Sequence, residues 1–301
     1  MTNRDAQAAN VRPALILLAI LTLVWGTNWP LFAFAVREVS VWTFRAFAVA
    51  IAGLVLLGVA RARSQSLVIP RRHLPRICIA TLFYLVLWNI ASTYSAILIP
   101  SGQSAVLGFT MPLWSALISW AVLGERLRPR LVLAIALGAA AVTLLMVPSL
   151  ATYAQAPLGL ALGLLAGIGW AVGTLILKGG GNLGVSATVL TGWQLLITAV
   201  PTTIGALALA EGGWFVPSWQ TIAVIGYITL VPMAIGNVCW FAIVGMLPTH
   251  VAGLSAVMVP VVAMISGAIV HGEPLGATQW LAMGCSASAL WLALVRPAAV
   301  R

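Results

Sequence analysis

Four indoles stand where no water boundary asks for them: Trp25, Trp88, Trp114 and Trp170 fall near the middle of long apolar runs. A buried indole must find an acceptor for its N–H or face a cavity, so four at one depth point either to core packing or to one shared aromatic cavity. Polar side chains in the same runs are few: Asn28, Asn89, Gln194 and Asn237. Such groups are costly in hydrocarbon and mark binding sites or contacts between helices. Asn89 and Asn237 either tie helices together, at about 0.5 to 2 kcal/mol each, or hold a polar head group. Asn28, one turn from Trp25 on the same helical face, is open to both readings. Met111 and Met258 add soft apolar surface suited to a ligand or to neighbouring helices. The chemistry these residues offer is recognition, with rings for an apolar body and amides for a polar head.

Charged and reactive groups narrow the field. Arg45 is the one charge well inside an apolar run; it is a clamp for a carboxylate, or else it snorkels to the outer surface or pairs with Glu38, and the latter is the expectation. No Asp or Glu lies mid-run, so the membrane carboxylate of many proton-coupled antiporters has no candidate. There is no glycine-rich phosphate loop and no HExxH zinc motif. Cys78, Cys239 and Cys285 read as small packing residues and not as a disulfide framework or metal site. His250 and His271 fall at the ends of one run, where they read as interfacial. An enzyme, a cofactor and a metal are therefore not expected. Pro112 and Pro260 fall at the midpoints of two runs, where a proline removes a backbone hydrogen bond and kinks a helix; they are static shape or hinges.

The elements that must position these residues follow from composition. With 62% hydrophobic and 7% charged residues and a mean hydropathy of +1.08, the chain is far from soluble domains, in which about a quarter of residues are charged. It reads as an all-α integral membrane protein whose partner is the lipid bilayer. Runs of the roughly 20 residues a spanning helix needs recur at 14–35, 41–60, 77–97, 102–123, 131–148, 157–177, 186–210, 219–244, 250–270 and 277–295. That predicts ten transmembrane helices. With the N-terminus inside, thirteen of the fifteen Lys and Arg are cytoplasmic, leaving Arg37 outside and Arg45 within a span. The positive-inside rule then puts both termini in the cytoplasm of a bacterial-type inner (plasma) membrane protein. Topology accounts for the net charge of +10, so nucleic acid is not an expected partner. The run ending at Ala33-Phe34-Ala35 resembles a signal peptide, but carries Trp25, Asn28 and Trp29 and is read as a retained span. Of the remaining tryptophans, Trp42, Trp214, Trp219 and Trp280 are expected in the outer interfacial belt and Trp120, Trp240 and Trp291 in the inner one.

The chain is also built twice. Shifting Thr43–Leu144 by 148 residues places Asn89 on Asn237, Pro112 on Pro260, Gly124 on Gly272 and Glu125 on Glu273 without a gap. The units are a tail, 1–13, a first five-helix repeat, 14–148, and a second, 157–296. Five is odd, so the second copy enters the membrane from the opposite side. Two inverted repeats are the architecture of secondary transporters, which expose a site at the interface of the halves to each side in turn.

The paired Gly-Glu steps (Gly124-Glu125 and Gly272-Glu273), Val24-Trp25-Gly26 in the first helix and the prolines of the fourth and ninth helices resemble the EamA branch of the drug/metabolite transporter superfamily. The mid-span tryptophans are most similar to its YddG-type exporters of aromatic amino acids. The resemblance implies a secondary transporter that exports small metabolites, aromatic or large neutral amino acids first among them, by alternating access. Other polar or cationic metabolites or drugs are the alternative substrates, and a non-transporting accessory membrane subunit is the alternative of another class. Oligomeric state is open, and a monomer suffices. The copies differ where the site is expected: Arg45 faces Trp193, Trp88 faces Gly236 and Trp114 faces Val262.

Overall fold

The computed structural model of the protein describes residues 3–99, 101–122, 124, 129–179, 181, 183–209, 216–246, 258–271 and 275–294. Among them the chain is all-helical, with no strand. This suits lipid, where each backbone N–H and C=O must be satisfied within the protein. The helices that matter are α1 (Asn3–Gly26), α2 (Asn28–Ala35), α3 (Val41–Ala62), α4 (Arg71–Leu98), α5 (Ser101–Gly108) and α6 (Met111–Ala121) in the first half. Next come α7 (Pro129–Ser149), α8 (Pro157–Gly179), α9 (Ala187–Leu209), α10 (Trp219–Met246), α11 (Val259–His271) and α12 (Ala277–Leu294).

Among the described residues seven spans are long and apolar enough to cross a membrane: α3, α4, the stretch Gln103–Ala121 that contains most of α5 and all of α6, α7, α8, α9 and α10. The expected ten full-length helices are not all seen among the described residues. The first expected span is divided at Thr27, with Pro13–Gly26 as the apolar part of α1. Pro30 has no N–H to give the Gly26 carbonyl, which accepts from Ser266 Oγ at 3.3 Å instead. The ninth expected span is described only over Met258 and α11. Glu125, Glu273, His250 and Trp214 lie outside the described residues. Gly124 takes φ +65°, a left-handed conformation that glycine adopts without penalty; this accounts for the glycine of the first Gly-Glu step.

The two halves interlock. Helix α3 packs along α9 and α7 along α12, each pair joining equivalent parts of the duplication. The leading helices exchange: α1 packs on α10 and α11, while α8 packs on α4, α5 and α6. Small residues make the close approaches that association in lipid relies on. A methyl group added at Gly53 would stand 3.0 Å from the Gly192 carbonyl, and one at Gly167 3.0 Å from the Gly108 carbonyl. The outward faces carry Leu54, Leu207 and Ile269 at 62%, 79% and 79% exposure, as a lipid-facing surface should.

Pro112 and Pro260 are not mid-helix kinks. Each is the second residue of a helix, α6 and α11, where a missing N–H costs no intrahelical bond. Helix α5 ends at Gly108, whose carbonyl Pro112 cannot serve, and the chain restarts at Met111. Both prolines line one small hollow of about 10 Å³ with Phe109, Leu113, Gly138 and Ser286.

Candidate functional site

Among the described residues the site is framed by a feature that occurs once in each half. Helix α4 widens into a π-helical turn at Leu82–Leu87, and α10 does the same at Thr229–Gly236. A π turn leaves the regular i→i−4 ladder and is often found at functional sites. Both turns are framed by the same side chains at the 148-residue offset. Thr81 donates to the Ile77 carbonyl and Thr229 to the Ile225 carbonyl, each at 2.7 Å. At the other end Asn89 Nδ2 donates to the Leu85 carbonyl and Asn237 Nδ2 to the Met233 carbonyl, again at 2.7 Å each. The asparagines therefore satisfy carbonyls of their own helices and, among the described residues, do not bond helix to helix. A carbonyl can only accept, so the NH₂ must face it and Oδ1 must turn the other way.

Between the two π turns lies a cavity of about 60 Å³, lined by Trp25, Asn28, Trp29, Arg45, Trp88, Asn89, Phe109, Trp170 and Asn237, with Leu85, Ser92, Ile228, Pro232 and Met233 completing the wall. Its aromatic side is one connected cluster. Trp170, buried, stands edge-on to Trp25 at 5.3 Å and to Trp88 at 4.8 Å between ring centroids, and lies 5.7 Å from Trp240. Phe109 links Trp88 to Trp29 at 6.2 and 6.0 Å. Tyr84 joins at 6.0 Å from Trp170. Each such edge-to-face pair contributes about 0.5 to 1.5 kcal/mol beyond its buried area, which holds the wall in shape. Trp25 Nε1 donates to the Pro232 carbonyl at 3.1 Å, so the first helix of one half serves the π turn of the other.

The polar side is under-satisfied. Asn28, Asn89 and Asn237 each bury an Oδ1 with no hydrogen-bond partner among the described residues, and Trp170 Nε1 is in the same state. A buried acceptor without a donor costs about 1 to 3 kcal/mol. Arg45 is 6% exposed, and its Nε donates to Thr93 Oγ1 at 3.0 Å. The expectation that Arg45 snorkels outward or pairs with Glu38 is thus corrected. Its side chain turns inward to the cavity, while Glu38 accepts from Ser218 N and Oγ at 2.9 and 2.8 Å.

Of the residues singled out in the sequence, Trp25, Asn28, Trp88, Asn89, Trp170 and Asn237 come together. Trp114 does not line the cavity; it is half-buried with Nε1 on Thr110 Oγ1 at 3.0 Å. Met111 is a core residue, and Met258 lies half-buried just before α11. Gln194 is fully buried away from the cavity with neither amide atom bonded among the described residues. Trp240, expected in the inner belt, is buried at 1% exposure against Trp25 and Trp170, whereas Trp120, Trp219, Trp280 and Trp291 are exposed as belt residues should be. Trp29, Phe109 and Ser92 were missed. The signal for Trp29 and Ser92 was spacing: Trp29 follows Trp25 by four residues and Ser92 follows Trp88 by four, so each pair shares a helical face.

Comparison with known proteins adds a family to this geometry. The family described as EamA-like transporter matches residues 12–147 and again 157–295. The uncharacterized transporter YvbV of Bacillus subtilis (strain 168) is 26% identical over 276 residues, covering 89% of this chain and 87% of its own. The uncharacterized inner membrane transporter YedA of Escherichia coli (strain K12) is 26% identical over 269 residues, covering 89% and 86%. A solved crystal structure aligns over 94% of this chain and 96% of its own with a TM-score of 0.77; at 18% identity it speaks for the fold alone.

Proposed function

This chain belongs to the EamA-like transporter family and is a multi-pass membrane transporter, and from that premise we propose that it exports aromatic or large neutral amino acids through the cavity between the two π turns. The carrying observation is the wall of Trp25, Trp88, Trp170 and Phe109 facing buried amides across one space. A ring with few rotors stacks there at low entropic cost, while the amides meet the charged backbone of the substrate.

At about 60 Å³ the cavity is small, which suits the head group; the side chain enters as Trp88 and Phe109 part. We read the chain as ten spans in two inverted five-helix repeats with both termini cytoplasmic, the site opening to each side in turn. Pro112 and Pro260, at the starts of α6 and α11 beside one hollow, are the hinges of that change. With no acidic residue in mid-span, transport runs down the substrate gradient or by exchange and not on protons.

Efflux from proteoliposomes tests this. Vesicles loaded with phenylalanine, tryptophan, threonine or a cationic drug should release the aromatic amino acids fastest, equally with and without a pH gradient. Protein-independent release of all four would end the proposal. The small volume and the three amide oxygens with no partner among the described residues also favour a second reading, a polar or cationic substrate. Strong loss in Asn89→Ala with little effect of Trp88→Ala would select it.

A further inference from the structure

The segment that joins α3 to α4 holds a third of the chain's cations. Five of the fifteen Lys and Arg fall in residues 61–76, and no Asp or Glu occurs between Glu38 and Glu125. The positive-inside rule explains their sign, but not where the fold puts them. The segment is pinned at three points. Ser186 Oγ donates to Gln65 Oε1 and Trp193 Nε1 to the Leu67 carbonyl, each at 2.8 Å, and Ile69 is buried.

The pin at Trp193 sets the depth of the segment. Trp193, Val200, Ile204 and Leu207 recur at helical spacing on α9 and all are exposed, so they share the face turned to lipid. An exposed indole near the end of such a face belongs at the level of the headgroups. Neighbouring helices bring arginines to the same level. On α3 the exposed Leu54 is followed seven residues later by exposed Arg61, on the same face. On α4 the exposed Arg72 and Arg71 precede exposed Ile79 and Leu82 by seven and eleven residues, again one face. Arg63, the residue after α3, is exposed as well. Helix α9 packs on both α3 and α4, so these four arginines flank the Trp193 end of one lipid-facing surface. Val68, 77% exposed between them in the chain, adds an apolar group there. Arg76 is the exception: half-buried, its Nη2 donates to the Gly181 carbonyl at 3.3 Å and serves the fold. Arg72 bonds His73 through Nε alone, at 3.2 Å, a bond that uses none of its four terminal N–H donors.

We infer that Arg61, Arg63, Arg71 and Arg72 form a binding surface for the phosphodiester headgroup of an anionic phospholipid. The planar guanidinium fork matches two phosphate oxygens and gives up water more easily than an ammonium. A zwitterionic lipid offers the same phosphate but carries its own cation, so a net-negative headgroup is preferred. The acyl chains of the bound lipid run along the exposed faces of α3 and α9, and the lipid bridges the first half to the second. This surface lies apart from the cavity and does not depend on which substrate is carried.

Purified full-length protein in neutral detergent is titrated with phosphatidylglycerol or phosphatidylcholine of the same chains, and bound lipid is counted by native mass spectrometry. The wild type should bind the anionic lipid at least about tenfold more tightly, since each surface arginine supplies about a factor of five. The preference should fall as ionic strength rises. Arg71→Gln/Arg72→Gln should weaken phosphatidylglycerol binding at least about fivefold and leave phosphatidylcholine binding unchanged. Arg296→Gln/Arg301→Gln, which takes the same charge from the end of the chain, should change neither. Equal affinity of the wild type for both lipids would overturn the inference, whether or not the variants fold. An equal loss in both double variants would assign the preference to net charge and overturn it too. So would displacement of phosphatidylglycerol by glycerol phosphate at constant ionic strength, which would make the cluster a site for a soluble anion.

Discussion

Replacing Gly236 with alanine attacks the point where the halves differ most usefully. A methyl group there would collide with Trp25 Nε1 and stand 2.7 Å from Trp25 Cδ1. The indole cannot stay, because that same nitrogen is bonded to the Pro232 carbonyl at 3.1 Å. Moving it gives up one buried hydrogen bond, about 1 kcal/mol, and overpacks the core, about 1 to 3 kcal/mol. It also loosens the Trp25–Trp170 edge contact at 5.3 Å, about 0.5 to 1.5 kcal/mol. A loss of this size lowers the melting temperature by about 5 to 15 °C, read as the fraction still monodisperse on size-exclusion chromatography after heating. Gly58→Ala is the control, since its methyl group meets nothing within 4 Å; alanine's helix propensity leaves it neutral or slightly stabilised. In a Trp25→Ala background the cost of Gly236→Ala should vanish, because the two residues are coupled through one contact. If Gly236→Ala costs as much without the indole as with it, Trp25 is not what the glycine accommodates and the description of the wall is wrong.

Other expectations follow from the same packing. Gly167→Val puts side-chain atoms against the Gly108 carbonyl and Thr110 Oγ1, which lie 3.0 and 2.9 Å from even a single methyl group, and should destabilise by about 2 kcal/mol or more; an unchanged melting temperature would mean that α8 has room to withdraw. Trp88→Ala removes the ring that packs on Trp170 and Phe109 and should slow phenylalanine efflux at least about tenfold relative to threonine; equal slowing of both would make Trp88 structural. The backbone N–H of Ser218, and then its hydroxyl, hold the Glu38 carboxyl below its usual range. A lowered folded value stabilises fully above the unfolded pKa of about 4.3, and that contribution is lost as pH falls from there through the folded value. The melting difference between wild type and Glu38→Gln should therefore be constant at neutral pH and shrink as pH falls below about 4; a difference that does not shrink on acidification would show that the link is not electrostatic.

Much of this was legible in the sequence, for reasons particular residues make plain. Asn89 and Asn237 declared themselves by recurring at a fixed offset in apolar surroundings. The framing threonines, Thr81 and Thr229, recur at the same offset but are too common in helices to stand out alone. The π turns they enclose were not legible, since no residue type specifies an i→i+5 bond. Arg45 was misjudged because its distance from the helix end permits snorkelling as readily as burial; the choice is made by Thr93 on another helix, which sequence spacing cannot reveal. Trp240 was misplaced for a related reason. Depth along a helix does not fix whether a face is at the interface or in the core: α1 and α8 cross between the halves and bring Trp25 and Trp170 onto it. Trp25 and Trp170 hold the same place counted from the start of each family-matched stretch, yet the uniform 148-residue shift does not align them. Pro112 and Pro260 fall in the expected spans but not at mid-helix, because each is the second residue of the helix that carries it.

The account stands on substrate occupying the space between the π turns, and a thiol placed there reports it directly. Ser92 lines the cavity, is 4% exposed and differs from cysteine by one atom. In a background with Cys78, Cys239 and Cys285 changed to alanine, Ser92→Cys should react with a small water-soluble thiol reagent. Phenylalanine should slow that reaction in a dose-dependent manner, leaving a thiol introduced by Val216→Cys, at an exposed position, unaffected. A rate at position 92 that no amino acid changes would contradict the account.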